Sequence, residues 1–151
     1  MIKKDALIRR AKSNLLWSIV ATLIFLGVAA YFVYDLIVNY MDLFQVILDS
    51  IVILISLFMV AVQTSWIISY AKDIPLAKKD GFMFITGKMV RCNKVVTDKK
   101  TKKMTYFDPV IKDRTSGEEI QLSVAGIEAN KVYKIMYLKH SKTAIIDEKI
   151  K

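Results

Sequence analysis

Residues 15–38 read LLWSIVATLIFLGVAAYFVYDLIV and residues 43–71 read LFQVILDSIVILISLFMVAVQTSWIISYA, with only Asn39-Tyr40-Met41-Asp42 between them. From Leu15 to Ala71 the charged residues are Asp35, Asp42 and Asp49, all acidic. All 23 Lys and Arg residues lie outside that stretch. A helix rises ~1.5 Å per residue, so the uncharged run from Leu15 to Tyr34 covers a hydrocarbon layer of ~30 Å. The run is too long for the ~7–15-residue apolar core of a signal peptide, and it ends in Tyr31, Phe32, Tyr34 and Asp35 rather than in a small-residue cleavage site.

Working outward, the whole chain of 151 residues is 54% apolar and still 25% charged. Both figures hold together only because the two kinds of residue are segregated, which is the pattern of a membrane protein and not of a soluble globule. The sequence predicts a basic N-terminal segment (1–14), a first span (15–38), a hairpin loop (39–42) and a second span (43–71). A linker (72–80) and a further domain (81–151) follow. Lys3, Lys4, Arg9, Arg10 and Lys12 precede the first span, Lys72, Lys78 and Lys79 follow the second, and the loop has no Lys or Arg. The positive-inside rule then puts both termini in the cytoplasm of a cell with the protein in its inner membrane. Trp17 and Trp66 would mark the inner interface, and Tyr31, Tyr34 and Tyr40 the outer one.

Polar residues in the second span recur every seventh position: Asp42, Asp49, Ser56, Gln63 and Tyr70, with Gln45 one turn before Asp49. Positions seven apart share one stripe of a helix. An ionisable group in a span costs ~2.5–3.5 kcal/mol at the centre on insertion scales, so it rarely faces lipid. The stripe Gln45, Asp49, Ser56 and Gln63 has two readings. It packs on the first helix, whose Ser18, Ala21, Thr22, Ala29 and Ala30 are small, or it docks a helix of another membrane protein or of a second copy.

After Gly81 the periodicity changes. A first strand is expected over residues 86–97, with a bulge, and a second over residues 104–112, placed at an edge or bulge by Pro109. Ile120, Leu122 and Val124 alternate as in a half-buried strand. Val132, Ile135, Met136 and Leu138 mark a fourth strand and residues 144–146 a fifth. The fold class expected is a two-helix membrane hairpin plus a small all-β, five-stranded, barrel-like or open antiparallel cytoplasmic domain.

Five segments carry a resemblance: Thr86-Gly87-Lys88-Met89-Val90, Tyr106-Phe107-Asp108-Pro109-Val110-Ile111, Ser116-Gly117-Glu118-Glu119-Ile120, Lys131 to Tyr137, and Thr143 to Asp147. Together they resemble a broad bacterial family that pairs one or two membrane helices with a compact β domain and is catalogued as a domain of unknown function. Here Asn130 stands where that family has Gly before the fourth strand. The resemblance implies a fold and a membrane location. It implies no reaction and no catalytic residues.

The chemistry of the chain excludes more than it suggests. There is one His and one Cys, no Gly-x-Ser-x-Gly elbow, no phosphate-cradling Gly-rich loop and no His pair at metal-ligand spacing. Glu118 and Glu119 are adjacent in a strand and point to opposite faces. No enzyme, metal or cofactor is expected. Arg91, Lys94, Lys99, Lys100, Lys102 and Lys103 crowd one hairpin. They either keep an edge solvated or meet an anionic phospholipid surface, where each basic residue contributes ~1 kcal/mol. Nucleic acid is disfavoured, since the neighbouring Tyr106 and Phe107 face opposite ways and build no stacking platform. The expectation is a non-catalytic accessory or regulatory subunit of a larger bacterial membrane complex, such as a transporter, secretion or envelope-building assembly. The alternative is an immunity protein against a membrane-active toxin or bacteriocin.

Overall fold

A computed structural model describes residues 2–39, 42–97 and 104–150. Two long helices come first, α1 (Ile2–Val38) and α2 (Leu43–Lys78). Seven strands follow: β1 (Met83–Arg91), β2 (Lys94–Thr97), β3 (Met104–Phe107), β4 (Val110–Asp113), β5 (Glu119–Gln121), β6 (Val132–Tyr137) and β7 (Ala144–Ile150). The chain divides into two compact units, one of residues 12–71 and one of residues 1–11 with 72–151.

The first unit is a pair of helices. Asp42 starts α2 as an N-cap, its Oδ1 accepting from the backbone N–H of Phe44 (3.0 Å) and Gln45 (3.3 Å). A carboxylate there satisfies donors that the helix leaves open and also suits the positive end of the helix dipole. In α1 the shielded positions include 14, 18, 21, 25, 28, 32 and 35, with the buried Ala29 beside them, and in α2 they include 45, 49, 52, 56, 59, 63, 67 and 70. These alternate in steps of three and four, the seam of two helices packed at coiled-coil spacing. The remaining sides present large apolar groups, including Trp17, Leu23, Leu54 and Phe58. Both helices are apolar and long enough to cross a membrane.

The second unit begins with helix ends. α2 runs on to Lys78 with Pro75 inside it, through the stretch expected to be a linker, and residues 2–14 of the basic N-terminal segment are likewise helical. α2 stops in a Schellman motif. Asp80 takes φ 60°, the Gly81 N–H reaches Leu76 O at 2.9 Å, and the Asp80 N–H reaches Ala77 O at 3.1 Å. A Cβ on Gly81 would lie 2.9 Å from that same Leu76 oxygen, so the position needs glycine.

The main sheet has the order β5-β4-β1-β6-β7, with antiparallel neighbours throughout. Just after β5, Ser123 makes a parallel bridge to Thr143 just before β7, so the two edges of the sheet meet at one end. β2 and β3 form a separate two-stranded ribbon. The five-stranded sheet and the antiparallel pairing are as expected, but two of the expected strands are each divided. Residues 86–97 break at Cys92-Asn93, after a register shift between Met89 and Arg91. Residues 104–112 break at Asp108-Pro109, where Asp108 takes φ 47° and Pro109 has no N–H for a ladder. The ribbon is what these two breaks release from the sheet. The core is Ile85, Ile111, Leu122, Val124, Ile127, Tyr133, Ile135, Tyr137 and Ala144. In β6 alternate residues enter it, as the two-residue strand period requires.

Candidate functional site

The helix pair holds a polar cluster near the loop between its helices. The Gln45 side-chain amide donates to Asp35 Oδ2 of α1 at 3.2 Å and to Asp49 Oδ1 of α2 at 3.0 Å. Asn39 Nδ2 donates to Asp35 Oδ1 at 2.8 Å. Asp49 is fully buried, and its Oδ2 has no hydrogen-bond partner among the described residues. At the other end of the pair, Asn14 Nδ2 donates to the Tyr70 hydroxyl at 3.2 Å, and Trp66 stacks on Tyr70 at 6.2 Å. One polar contact therefore ties the helices at each end.

The seven-residue stripe lies along this seam. Asp49, Ser56 and Tyr70 are buried, while Gln45 and Gln63 are half-buried. Of the small residues on α1, Ala29 is buried, Ser18, Ala21 and Thr22 are half-buried, and Ala30 is exposed. Asp35 was not among the residues singled out as a partner for the stripe. Its signal was its position on the seam, seven residues past Val28 and three past Phe32.

Of the six basic residues expected to crowd one hairpin, Arg91 and Lys94 are described. Arg91 is exposed and its guanidinium lies 3.5 Å from Glu119 Oε2. Lys94 is exposed and opposes Phe107 across the ribbon. Lys99, Lys100, Lys102 and Lys103 lie outside the described residues. On the ribbon, Val95, Val96, Met104 and Phe107 are all exposed. Val95 and Val96 are adjacent, so apolar groups occupy both faces.

Four groups in the β unit have displaced proton affinities, among them Lys131, which Glu128 holds above the usual ammonium range. The Thr115 N–H and the Ser116 hydroxyl hold the Asp113 carboxyl below the usual carboxylate range. Lys131 and then Lys149 do the same for Glu128. Burial, assisted by Glu118 and Asp113, pushes the Tyr137 phenol up. The Ser116 hydroxyl that donates to Asp113 lies in the same turn, three residues on. Among the described residues no group of three or more His, Cys, Asp or Glu side chains gathers where a metal ion would sit. Cys92 is half-buried. His140 is engaged through its backbone N–H, which donates to Asp73 Oδ1 at 2.9 Å.

Asp73 is a second residue whose role was not read from the sequence. It is buried, and its second oxygen accepts from the Ser141 N–H at 2.6 Å. A lone Asp in a basic stretch gives no local signal for a partner 68 residues away.

No family model, curated protein or solved structure matches the chain.

Proposed function

We propose that the protein is a non-catalytic accessory subunit of a larger bacterial membrane complex. In this reading it is anchored in the inner membrane by α1 and α2, with both termini and the β unit in the cytoplasm. The observation that carries the reading is the inverted polarity of the helix pair. Polar side chains turn inward to the seam, while outward positions carry groups such as Trp17 and Leu54, each 68% exposed. In water such a surface would far exceed the few hundred Å² of contiguous apolar area that a monomer tolerates, whereas in lipid it is the expected exterior. The basic residues flanking both helices support the orientation.

With Asp49 and Ser56 engaged in the seam, the partner contact falls to the lipid-facing sides and to the ribbon. The ribbon supports this through apolar groups on both faces of a two-stranded element, which is marginal in water by itself. Its lysine-rich link, residues 98–103, adds positive charge beside an anionic phospholipid surface. Affinity purification of the full chain in mild detergent, followed by mass spectrometry, should recover a membrane-protein partner in fixed ratio. Replacing Val96 and Phe107 together with Ser should reduce that recovery without lowering the protein's own level. Recovery of the chain alone, from cells at native expression, would refute the accessory role. Asn39→Cys in a Cys92→Ser background should react with an impermeant thiol reagent added outside intact cells, and Thr115→Cys should not. The reverse pattern would overturn the orientation.

A further inference from the structure

A surface cavity of about 380 Å³ opens where β1, β4 and β6 adjoin the β4–β5 turn, lined by Gly87, Lys88, Lys112, Asp113, Arg114, Gly117 and Val132. Lys88 and Lys112 are direct cross-strand partners, so both side chains leave the same face of the sheet. Their Cβ atoms are then ~4.5–5.5 Å apart, a spacing at which like charges repel. Arg114 is the third cation at the mouth, held beside β1 because its N–H donates to Thr86 O at 2.8 Å.

The carboxylates that would neutralise these cations are otherwise engaged. Asp113 turns into its own turn, its oxygens accepting from the Thr115 N–H at 3.2 Å and the Ser116 hydroxyl at 2.8 Å. Glu119 is the cross-strand partner of Lys112 on the other side, but it pairs with Arg91. Elsewhere in the sheet the cations do find partners: Lys134 has Asp147 at 3.8 Å, and Lys149 has Glu128 at 3.1 Å. Among the described residues, Lys88, Lys112 and Arg114 have no carboxylate within ion-pair distance. Gly117, with open space where a Cβ would stand, leaves one point of the lining free of a side chain.

We infer that this cavity binds a phosphate-bearing anion, with the Lys88 and Lys112 ammonium groups and the Arg114 guanidinium as its ligands. Two point charges and one planar fork of donors suit a tetrahedral phosphate, which offers several acceptor oxygens at once. The same chemistry is offered by the headgroup of an anionic phospholipid and by a soluble phosphate compound. The site rests on the β unit by itself and does not depend on membrane insertion.

The test is residue-resolved acylation of lysines on the full chain, read by mass spectrometry at constant ionic strength. In neutral detergent, pyrophosphate should reduce labelling of Lys88 and Lys112 several-fold while leaving the exposed Lys139 unchanged. In bilayer discs, adding phosphatidylglycerol to phosphatidylcholine should give the same selective protection if the source is a headgroup. Protection in the first arm only assigns a soluble phosphate. Protection in neither arm, or equal protection of Lys139, overturns the site. Lys112→Gln should abolish the pyrophosphate protection of Lys88, and persistence of that protection would also overturn it.

Discussion

The buried carboxylate of Asp73, near the C-terminal end of α2, caps the β6–β7 turn by accepting from the Ser141 N–H at 2.6 Å and from the His140 N–H at 2.9 Å. One side chain thus satisfies two backbone donors in the turn, and Ser141 is itself buried. The turn needs such help. Lys142 sits at φ 55°, outside the comfortable range for a residue with a side chain. The start of α1 reaches the same hairpin, where Lys3 pairs with Asp147 and Arg10 Nη1 donates to Ala144 O at 3.4 Å.

Removing the Asp73 carboxylate should therefore cost stability. Hydrogen bonds to charged groups contribute ~1.5–3 kcal/mol each, and an abandoned buried N–H adds its own desolvation penalty. Asp73→Ala should destabilise the β unit by about 3 kcal/mol, with Asp73→Asn intermediate because one amide oxygen remains. Hydrogen exchange on the full chain in detergent should show the Ser141 amide losing protection first. Unchanged exchange at residues 139–143 would mean that the cap is dispensable.

Gly87 offers a sharper steric test. A Cβ built there would fall 1.9 Å from the Lys112 carbonyl oxygen, inside the β1–β4 pairing. Backbone cannot yield as a flexible side chain would, so Gly87→Ala should cost at least the ~1–3 kcal/mol typical of overpacking. Gly117, at φ 73° but with open space around it, should lose less on the same change, through backbone strain alone. Comparing the two melting temperatures separates crowding from conformation.

The helix pair was the more legible half of the fold, because a long apolar run bounded by charge has few alternatives. Expected span ends at Val38 and Leu43 coincide with helix ends. The heptad stripe was visible too, since Asp49, Ser56 and Gln63 stand out against aliphatic neighbours. Which surface it meets was open, because the spacing gives a face and not its occupant; Gln45 bridging to Asp35 supplies the occupant. In the β unit, alternation located strands, but breaks at Asn93 and Asp108 were less clear. A bulge and a strand exit share the same polar signal. The Asp73 cap and the Lys88–Lys112 pairing depend on long-range register, which no local pattern encodes.

Acid should weaken the β unit through Asp113 and Glu128. Both carboxyls are held below their ordinary values in the folded state, by turn donors and by lysines respectively. The unfolded chain then takes up protons first as pH falls. Their contribution is complete above about pH 6, clear of the ordinary carboxyl range, and is lost as pH drops through that range to the lower folded values. Melting temperatures of the full chain in detergent should decline over that interval. Asp113→Asn should flatten the decline, and an unchanged slope in this variant would assign the acid sensitivity elsewhere.

The last expectation concerns Asp49. Its Oδ1 is held by Gln45, yet its Oδ2 is buried without a partner among the described residues. A buried polar atom left unpaired is costly, so the carboxyl weakens the seam relative to an apolar side chain of similar size. Polar contacts between spans average only ~0.6 kcal/mol, too little to offset that. Asp49→Leu should therefore insert at least as well as the parent and resist denaturation by detergent equally or better. Gln45→Leu should do the opposite, because it strips both Asp35 and Asp49 of a donor in one step. If Asp49→Leu instead weakens the isolated hairpin as much as Gln45→Leu does, the carboxyl is an essential part of the seam. If the hairpin stays intact but recovery of a membrane partner falls, the buried carboxyl acts on the partner through the arrangement of the seam and not by direct contact. Parallel measurement of hairpin stability and partner recovery separates those two outcomes.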